Sequence, residues 1–189
     1  MFTNRPRRLA RVSYVGFQRY FVTTCTAFKR PIFADLAIGN DIASQILRSA
    51  REREFAVTAY CLMPDHVHLL LGAQSEDADL PRFVKHAKQV TGFAYRKAKN
   101  QSLWQPGYHE RVLRDDEATL VIARYIMENP VRAGLAKALG EWPLSGSDVY
   151  TWPELLTVWE QKLASMGRAD LKHSACRDGR PEEPVKKSL

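Results

Sequence analysis

The stretch spanning residues 60–71 constrains the fold most, because it predicts one strand, a tight turn and a second strand. Pro64 and Asp65 are typical turn residues, since proline fixes φ and aspartate can bond back to the backbone. Beyond the turn, the two-residue period of a strand puts His66 and His68 on one face. Residues two apart on a strand lie about 6.6–6.8 Å from each other, so both imidazoles can lean toward a single ion. The chain should therefore contain a hairpin that presents two histidines together.

The remaining elements follow from hydrophobic periodicity and from breaker residues. We predict strands over residues 12–26, 55–62, 66–72 and 109–114. We predict helices over residues 35–53, 80–100, 115–128 and 154–164. The third helix should end before Asn129-Pro130, because a residue that precedes proline is pushed out of the α region. The order β-α-β-β-α-β, then α, is that of a split βαβ or ferredoxin-like sandwich, an α+β fold with a central antiparallel sheet and a C-terminal helical extension.

The same patterns divide the chain into four parts. Residues 1–11 should be a flexible basic arm, and residues 12–150 the main domain. A C-terminal helix should occupy residues 151–166, and the charged segment 167–189 should be disordered. The three cysteines are odd in number and form no paired motif, and no signal peptide or membrane span is evident. These features favour a cytoplasmic protein in a reduced compartment.

Charge is the most informative bulk property. The chain has 28 Lys and Arg against 21 Asp and Glu, a net charge of +7 and a pI near 9.5. This excess predicts a polyanionic binding partner, nucleic acid rather than a membrane, although mildly basic surfaces that bind nothing are common. The charge is concentrated in the N-terminal arm and in the helix 80–100, so we predict backbone phosphate contacts from Arg5, Arg7, Arg8, Arg11, Lys85, Lys88, Arg96 and Lys99.

The helix 80–100 is amphipathic in an unusual way. An apolar stripe is formed by Phe83, Ala87, Val90 and Ala94, and a basic stripe lies beside it without interspersed acidic residues. The basic stripe could be an ordinary solvated face, but its lack of glutamate slightly favours phosphate binding.

A tyrosine on the helix 115–128 is a candidate nucleophile. Ala118, Ile122, Tyr125 and Asn129 are four, three and four residues apart, so they share one face. If that face packs on the sheet, the phenol and the amide could approach the histidine pair. Two imidazoles with a third polar ligand suit a catalytic divalent metal, and such a metal could polarise the group that the tyrosine attacks. The alternative is that the tyrosine belongs to the core and that the asparagine only ends the helix.

These residues lie in blocks that resemble a known family. His66-Val67-His68 looks like the HUH motif of metal-dependent single-stranded DNA nucleases. The blocks over residues 60–70 and 125–135 closely resemble the two signature blocks of the REP-associated tyrosine transposases of the IS200-like superfamily, and the block 104–109 is also similar. The resemblance covers roughly residues 14–150. It departs at residues 144–147, where an aromatic followed by paired serines is expected.

The resemblance implies a function as well as a fold. Tyr125 would attack a phosphodiester in single-stranded DNA and form a 5′-phosphotyrosine link, which stores the bond energy, so that rejoining requires no nucleotide cofactor. His66, His68 and Asn129 would hold the ion, Mg²⁺ or Mn²⁺ by resemblance, although imidazoles alone would also suit zinc. The partner would be a palindromic, hairpin-forming REP-like element.

Several alternatives stay open at this point. Trp104 and Tyr108 could stack on unpaired bases, but turn and core packing explains them equally well. A non-catalytic DNA-binding regulator of the same fold would also suit the charge. A metal-dependent phosphohydrolase that activates water, with Tyr125 structural, would suit the histidine pair. Whether the protein is a monomer or a dimer is undetermined.

Overall fold

The computed structural model describes residues 14–113 and 116–165 of the 189-residue chain. The predicted basic arm and the predicted tail after residue 166 lie outside the described residues. The same holds for the four arginines that we assigned to DNA binding in that arm, Arg5, Arg7, Arg8 and Arg11.

The described residues form five strands and four helices. The strands are β1 (Arg19–Cys25), β2 (Phe55–Met63), β3 (His66–Ala73), β4 (His109–Leu113) and β5 (Ser145–Gly146). The helices are α1 (Leu36–Glu52), α2 (Leu80–Lys99), α3 (Asp116–Arg132) and α4 (Trp152–Ser165).

The strands form one antiparallel sheet in the order β4-β1-β3-β2-β5. The hairpin that the turn residues predict is present, with Met63 paired to His66 across Pro64 and Asp65. The first four strands have the order of a ferredoxin-like sandwich, so the predicted fold class is confirmed. The α1 helix begins where predicted, because the Asp35 side chain accepts hydrogen bonds from the first free backbone N–H groups.

The two faces of the sheet are covered by different helices. On one face α1 and α2 enclose the main core, which includes Val67 and Leu69 of β3. On the other face α3 packs on β2, β3 and β4. Because side chains alternate along a strand, His66 and His68 lie on the α3 face. The alternation of β3 therefore separates the core residues from the histidine pair.

The first strand is shorter than predicted. Regular pairing starts at Arg19, whereas the prediction began at residue 12. Gly16 has φ +99, a left-handed conformation that turns the chain, and its N–H donates to the carbonyl of Ala78. Val15 forms only an isolated bridge with Asp79. The β-branched and aromatic composition thus predicted a strand that one glycine interrupts.

The prediction that the third helix ends at Glu128 is wrong, since α3 continues through Pro130 to Arg132. Proline has no N–H to donate to the carbonyl of Ile126. The Nδ2 atom of Asn129 lies 3.5 Å from that oxygen, and it also donates to the Tyr125 oxygen at 2.8 Å. Gly134 follows the end of the helix, and its φ of +71 allows a Schellman motif. In that motif Gly134 donates to Val131, and Leu135 donates to Pro130.

The departure from the family blocks at residues 144–147 has a packing reason. This segment forms β5, in which Gly146 lies opposite Tyr60 of β2. A Cβ at Gly146 would approach the Tyr60 hydroxyl to 3.0 Å, which is tighter than ordinary contact. Glycine at this position therefore accommodates the tyrosine ring.

The chain separates into two compact units, Met1–Trp152 and Pro153–Leu189. The described part of the second unit continues α4, in which Leu155 and Trp159 are buried and lie one helical turn apart. Within residues 14–113 and 116–165, no helix is long and apolar enough to cross a membrane.

Candidate active site

The imidazoles of His66 and His68 meet on the α3 face of the sheet. Their rings lie edge to face with centroids 4.7 Å apart, and their Nε2 atoms are 3.1 Å apart. Two neighbouring nitrogen ligands at about 2.0–2.1 Å from one metal ion are separated by about 2.8–3.4 Å at octahedral to tetrahedral angles. The pair therefore has the spacing of two ligands of one ion, as the alternation along β3 predicts.

The other nitrogen of each imidazole has its own partner. Asp65 Oδ1 lies 2.6 Å from His66 Nδ1, and Thr23 Oγ1 lies 2.9 Å from His68 Nδ1. A carboxylate can only accept, so the proton in this contact lies on His66 Nδ1, and Nε2 is the nitrogen that faces His68. Thr23 reaches its histidine because β1 pairs with β3 in the register that sets these two residues opposite each other. Outer hydrogen bonds of this kind orient metal-binding imidazoles.

His68 is held in its neutral form. It is 5% exposed, and the Phe21 ring lies 5.4 Å from its own ring. Burial, with a smaller contribution from the neighbouring His66, lowers the pKa of His68 to about 3. Neutral imidazole is the form that binds a metal, so burial maintains His68 as a potential ligand at neutral pH.

Tyr125 lies beside the histidine pair. Its ring centroid is 6.1 Å from that of His68 and 6.2 Å from that of Phe21, in edge-to-face contacts. The α3 helix thus brings the phenol to the strand that carries the imidazoles, some sixty residues away in sequence. Tyr125 also packs on Phe21, but it is half-buried and does not belong to the main core cluster.

Asn129 lies one helical turn after Tyr125, and its side-chain amide nitrogen donates a hydrogen bond to the backbone oxygen of Tyr125. Its Oδ1 is therefore the side-chain atom that could bind an ion. The role of Asn129 as a third metal ligand stays a prediction.

Arg132 adds a cation to the same helix face. Its guanidinium carbon lies 5.2 Å from the centre of the Tyr125 ring, in a cation–π arrangement. A second arginine, Arg124, instead forms an ion pair at 2.6 Å with Glu128, which lies one helical turn further along α3. Arg132 is therefore the arginine that contacts the candidate nucleophile.

The donor set fits a divalent ion with open positions. Across the described ranges, no three His, Cys, Asp or Glu side chains cluster as a metal site on their own. A site here thus consists of the two imidazoles, with the remaining positions open to an amide oxygen, water or phosphate oxygens. Such openness is typical of catalytic rather than structural sites.

The predicted DNA-binding residues of α2 divide into two groups. Lys85, Arg96 and Lys99 are exposed, as a phosphate-binding surface requires. Lys88 is not free in this way, because its Nζ donates to the carbonyl of Gln105 at 2.8 Å and to that of Gly107 at 2.5 Å. Burial lowers the pKa of Lys88 to about 8. The lysine therefore holds the segment after α2, and its phosphate contact stays a prediction.

Two aromatic residues that we predicted to bind DNA also have packing contacts, and one residue that we predicted in the apolar stripe of α2 is exposed. The Trp104 Nε1 donates to Thr91 Oγ1 at 2.8 Å, and the indole packs against Phe33. Tyr108 is partly buried against the main core. Val90, which we placed in the apolar stripe of α2, is 40% exposed, and Thr91 is buried in its stead. Base stacking by the two aromatic residues remains untested.

Sequence reasoning missed three residues of the site. Asp65 was interpreted only as a turn residue, although its position directly before the first histidine is a usable signal. Thr23 could be found only from the register between β1 and β3. Arg132 lies seven residues, or two helical turns, after Tyr125, but the predicted helix end at Glu128 hid that relation.

This chain is similar to known proteins of one family. The family model described as Transposase IS200 like matches residues 16–129, a range that includes His66, His68, Tyr125 and Asn129. A REP-associated tyrosine transposase of Escherichia coli is 30% identical over 101 residues, which cover 53% of this chain and 59% of that protein. A Haemophilus influenzae protein, provisionally named a REP-associated tyrosine transposase, is 26% identical over 119 residues, which cover 56% and 66%. The chain thus spans less than two thirds of the length of either relative.

A solved structure shares the fold. It is described as a REP-associated tyrosine transposase bound to a REP hairpin, and it superposes with a TM-score of 0.62 at 21% identity. The superposition covers 74% of this chain and 82% of that chain.

Proposed function

This chain belongs to the IS200-like transposase family, and from that premise we propose that it cleaves and rejoins single-stranded DNA with Tyr125 as the nucleophile. The observation that supports the proposal best is the contact between the Tyr125 ring and His68, whose Nε2 converges with that of His66. A pure DNA-binding module has no need for a phenol beside two converging imidazole nitrogens.

The proposed step is an in-line transfer of a phosphoryl group from a sugar to a tyrosine. The Tyr125 oxygen attacks the phosphorus, a new P–O bond forms to the phenol, and the bond from phosphorus to the 3′-oxygen breaks. The phenol loses its proton to solvent, and the departing 3′-oxygen takes one up. The products are a 5′-phosphotyrosine link and a free 3′-hydroxyl, which can attack the link in the reverse reaction without ATP.

The residues around the phenol have separate functions in this step. Arg132, lying over the ring, stabilises negative charge as it develops on the phenol oxygen. Phe21 limits the motion of the ring by packing against its edge. Asp65 and Thr23 orient the two imidazoles from their outer nitrogens.

His66, His68 and the Oδ1 of Asn129 would hold a divalent ion, Mg²⁺ or Mn²⁺ by family. When bound, such an ion polarises the scissile phosphate and neutralises charge on its oxygens. Burial keeps His68 neutral and ready for this role.

The proposed partner is single-stranded DNA next to a hairpin. This inference draws on the solved structure of similar fold, which is described as bound to a REP hairpin, and on the excess of basic residues. The exposed Lys85, Arg96 and Lys99 of α2 are proposed to contact its backbone, as are the arginines of the N-terminal arm.

A denaturing gel tests the proposal directly. The protein is incubated with Mg²⁺ or Mn²⁺ and a pool of hairpin oligonucleotides that have randomised unpaired flanks and a 3′ label. We expect a labelled protein–DNA adduct that Tyr125→Phe abolishes while DNA binding persists. Tyr150→Phe is the matched control, because Tyr150 is a partly exposed tyrosine of the same unit, 44% exposed.

The two rival functions give different gels. Free cleaved DNA that survives Tyr125→Phe would mean a phosphohydrolase that activates water. An intact pool in every lane, despite binding, would mean a non-catalytic regulator. Either result would refute the tyrosine mechanism.

A further inference from the structure

A groove of about 950 Å³ lies between α2 and the segment Ser102–Tyr108. It is on the side of the sheet opposite to α3, so it is distinct from the histidine pair. One wall is the outer face of α2, and the other is the segment that Lys88 holds.

The α2 wall is positively charged. Arg82, Lys85 and Arg96 line the groove and are exposed, and among the residues that the structure describes no aspartate or glutamate lines it. From Arg82 to Arg96 the helix rises about 21 Å, so these cations follow the groove along its length. A lining of cations without carboxylates complements an extended polyanion.

Phe93 stands among these cations. It is 72% exposed although it is a large apolar side chain, and it lines the same groove, three residues before Arg96. An exposed aromatic ring beside phosphate-binding cations is the arrangement by which proteins bind single strands, because every base can stack on it. Duplex DNA has its bases stacked internally and would not use this ring.

The opposite wall is preformed. Besides the two bonds from Lys88, the Trp104 indole donates to Thr91 of α2. The wall is also bonded to the end of β1, because Gln105 N donates to Cys25 O at 3.1 Å. Cys25 is the residue of β1 that pairs with His66. The groove thus adjoins the end of the sheet at which the histidine pair lies, so one DNA strand could reach both.

We propose that this groove binds an unpaired stretch of the DNA strand, with Phe93 stacked on a base and with Arg82, Lys85 and Arg96 on its phosphates. The proposal rests on the proposed function for the identity of the polyanion, and it adds a binding site on the face of the protein away from Tyr125. The carbonyls of Gln105 and Gly107 are already engaged by Lys88, so they do not repel the phosphates.

Fluorescence anisotropy with labelled oligothymidylate, which forms no hairpin, tests the stacking. We expect Phe93→Ala to weaken binding about 5- to 150-fold, the range for loss of one base–aromatic stack, and Phe93→Trp to retain it. Phe17→Ala is the matched control, since Phe17 is 68% exposed and lies outside the groove. A blunt-ended DNA duplex of two strands, which has no unpaired nucleotides, should bind equally well to Phe93→Ala and to the unchanged protein.

The charge contribution has its own readout. Replacing Lys85 and Arg96 together by Gln should lower the slope of log affinity against log salt by about 1.4 for the single strand. Replacing Arg48 and Lys137 by Gln, two exposed cations outside the groove, should lower it less.

Three outcomes would overturn the groove proposal. They are unchanged affinity of Phe93→Ala for oligothymidylate, an equal loss of affinity for the blunt-ended duplex, or an equal change of salt slope in both double variants. None of these affects the tyrosine mechanism, because the adduct assay with Phe93→Ala at saturating DNA still reports on Tyr125. Conversely, absence of an adduct in the unchanged protein would leave the anisotropy result valid.

Discussion

Replacing Asp65 by Asn should weaken Mn²⁺ binding about tenfold without unfolding the protein. Asp65 Oδ1 lies 2.6 Å from His66 Nδ1, a distance typical of a charge-assisted hydrogen bond. This bond places the proton on Nδ1 and turns Nε2 toward His68, where a metal would bind. Asparagine keeps an acceptor oxygen of the same size but loses the charge, so the orientation persists in part.

The magnitude follows from the exposure of the pair. Loss of an outer partner of a metal ligand typically lowers metal affinity 10- to 100-fold, or about 1.4–2.7 kcal/mol. The His66 and Asp65 side chains are 26% and 31% exposed, so solvent partly screens their interaction. We therefore expect the lower end of the range for Asp65→Asn and the upper end for Asp65→Ala, which removes acceptor and charge together.

Titration calorimetry with Mn²⁺ in the absence of DNA measures this effect independently of cleavage. His66→Ala should abolish binding at the site. Asp41→Asn is the matched control, because Asp41 is an exposed carboxylate on α1 whose partner is Gln45. Mn²⁺ affinity equal to that of the unchanged protein in Asp65→Asn and Asp65→Ala would refute the orienting role. Tight binding by His66→Ala would refute the ion site itself.

Three further predictions test packing, electrostatics and catalysis. Gly39→Ala should lower the free energy of unfolding, measured by urea melts, by about 1–2 kcal/mol, because the added Cβ would come within 2.4 Å of the buried Leu144 side chain. In a Leu144→Ala background this clash is absent, so Gly39→Ala should no longer destabilise the protein. Burial lowers the pKa of Lys88 to about 8, so between that pH and the ordinary 10.5 the unfolded chain binds more protons than the folded one. The stability of the unchanged protein relative to Lys88→Met should thus rise with pH over this interval in urea melts, and a fall would contradict the assignment. Arg132→Gln should slow formation of the Tyr125 adduct about 2- to 30-fold in single-turnover assays, with Mn²⁺ affinity unchanged, whereas Arg132→Lys should be slowed less.

Local chemistry allowed much of the fold to be predicted. The two-residue alternation of β3, the turn at Pro64 and Asp65 and the cap at Asp35 each depend on neighbouring residues only. Gly16 shows the limit of such reasoning, because residues 12–26 have strand composition throughout and only the backbone angle at the glycine reveals the break. Composition predicts which residues suit a strand, but not where the chain must turn to meet α2.

Only those features of the site that depend on residue spacing within one helix or strand could be predicted from the sequence. The two-residue spacing along β3 predicts that His66 and His68 face the same way, whereas the position of Thr23 beside His68 depends on the pairing between two strands. The basic face of α2 has the same limit. Lys85 and Lys88 are equivalent in the sequence, but the segment after the helix returns over Lys88 and binds its amine. Which cation remains free is decided by tertiary contacts.

The helix α3 connects the largest error of prediction with the candidate chemistry. A helix usually ends before proline because continuing it costs free energy. Here the Asn129 amide nitrogen lies 3.5 Å from the Ile126 oxygen, the acceptor that Pro130 leaves without its N–H donor. If the helix ended at Glu128, Arg132 would no longer follow Tyr125 by two helical turns on the same face. Continuation of the helix through Pro130 is therefore what brings the guanidinium over the phenol. The side chain whose Oδ1 we propose as a metal ligand therefore also has a packing role, because its nitrogen contacts the backbone of the helix that carries the proposed nucleophile.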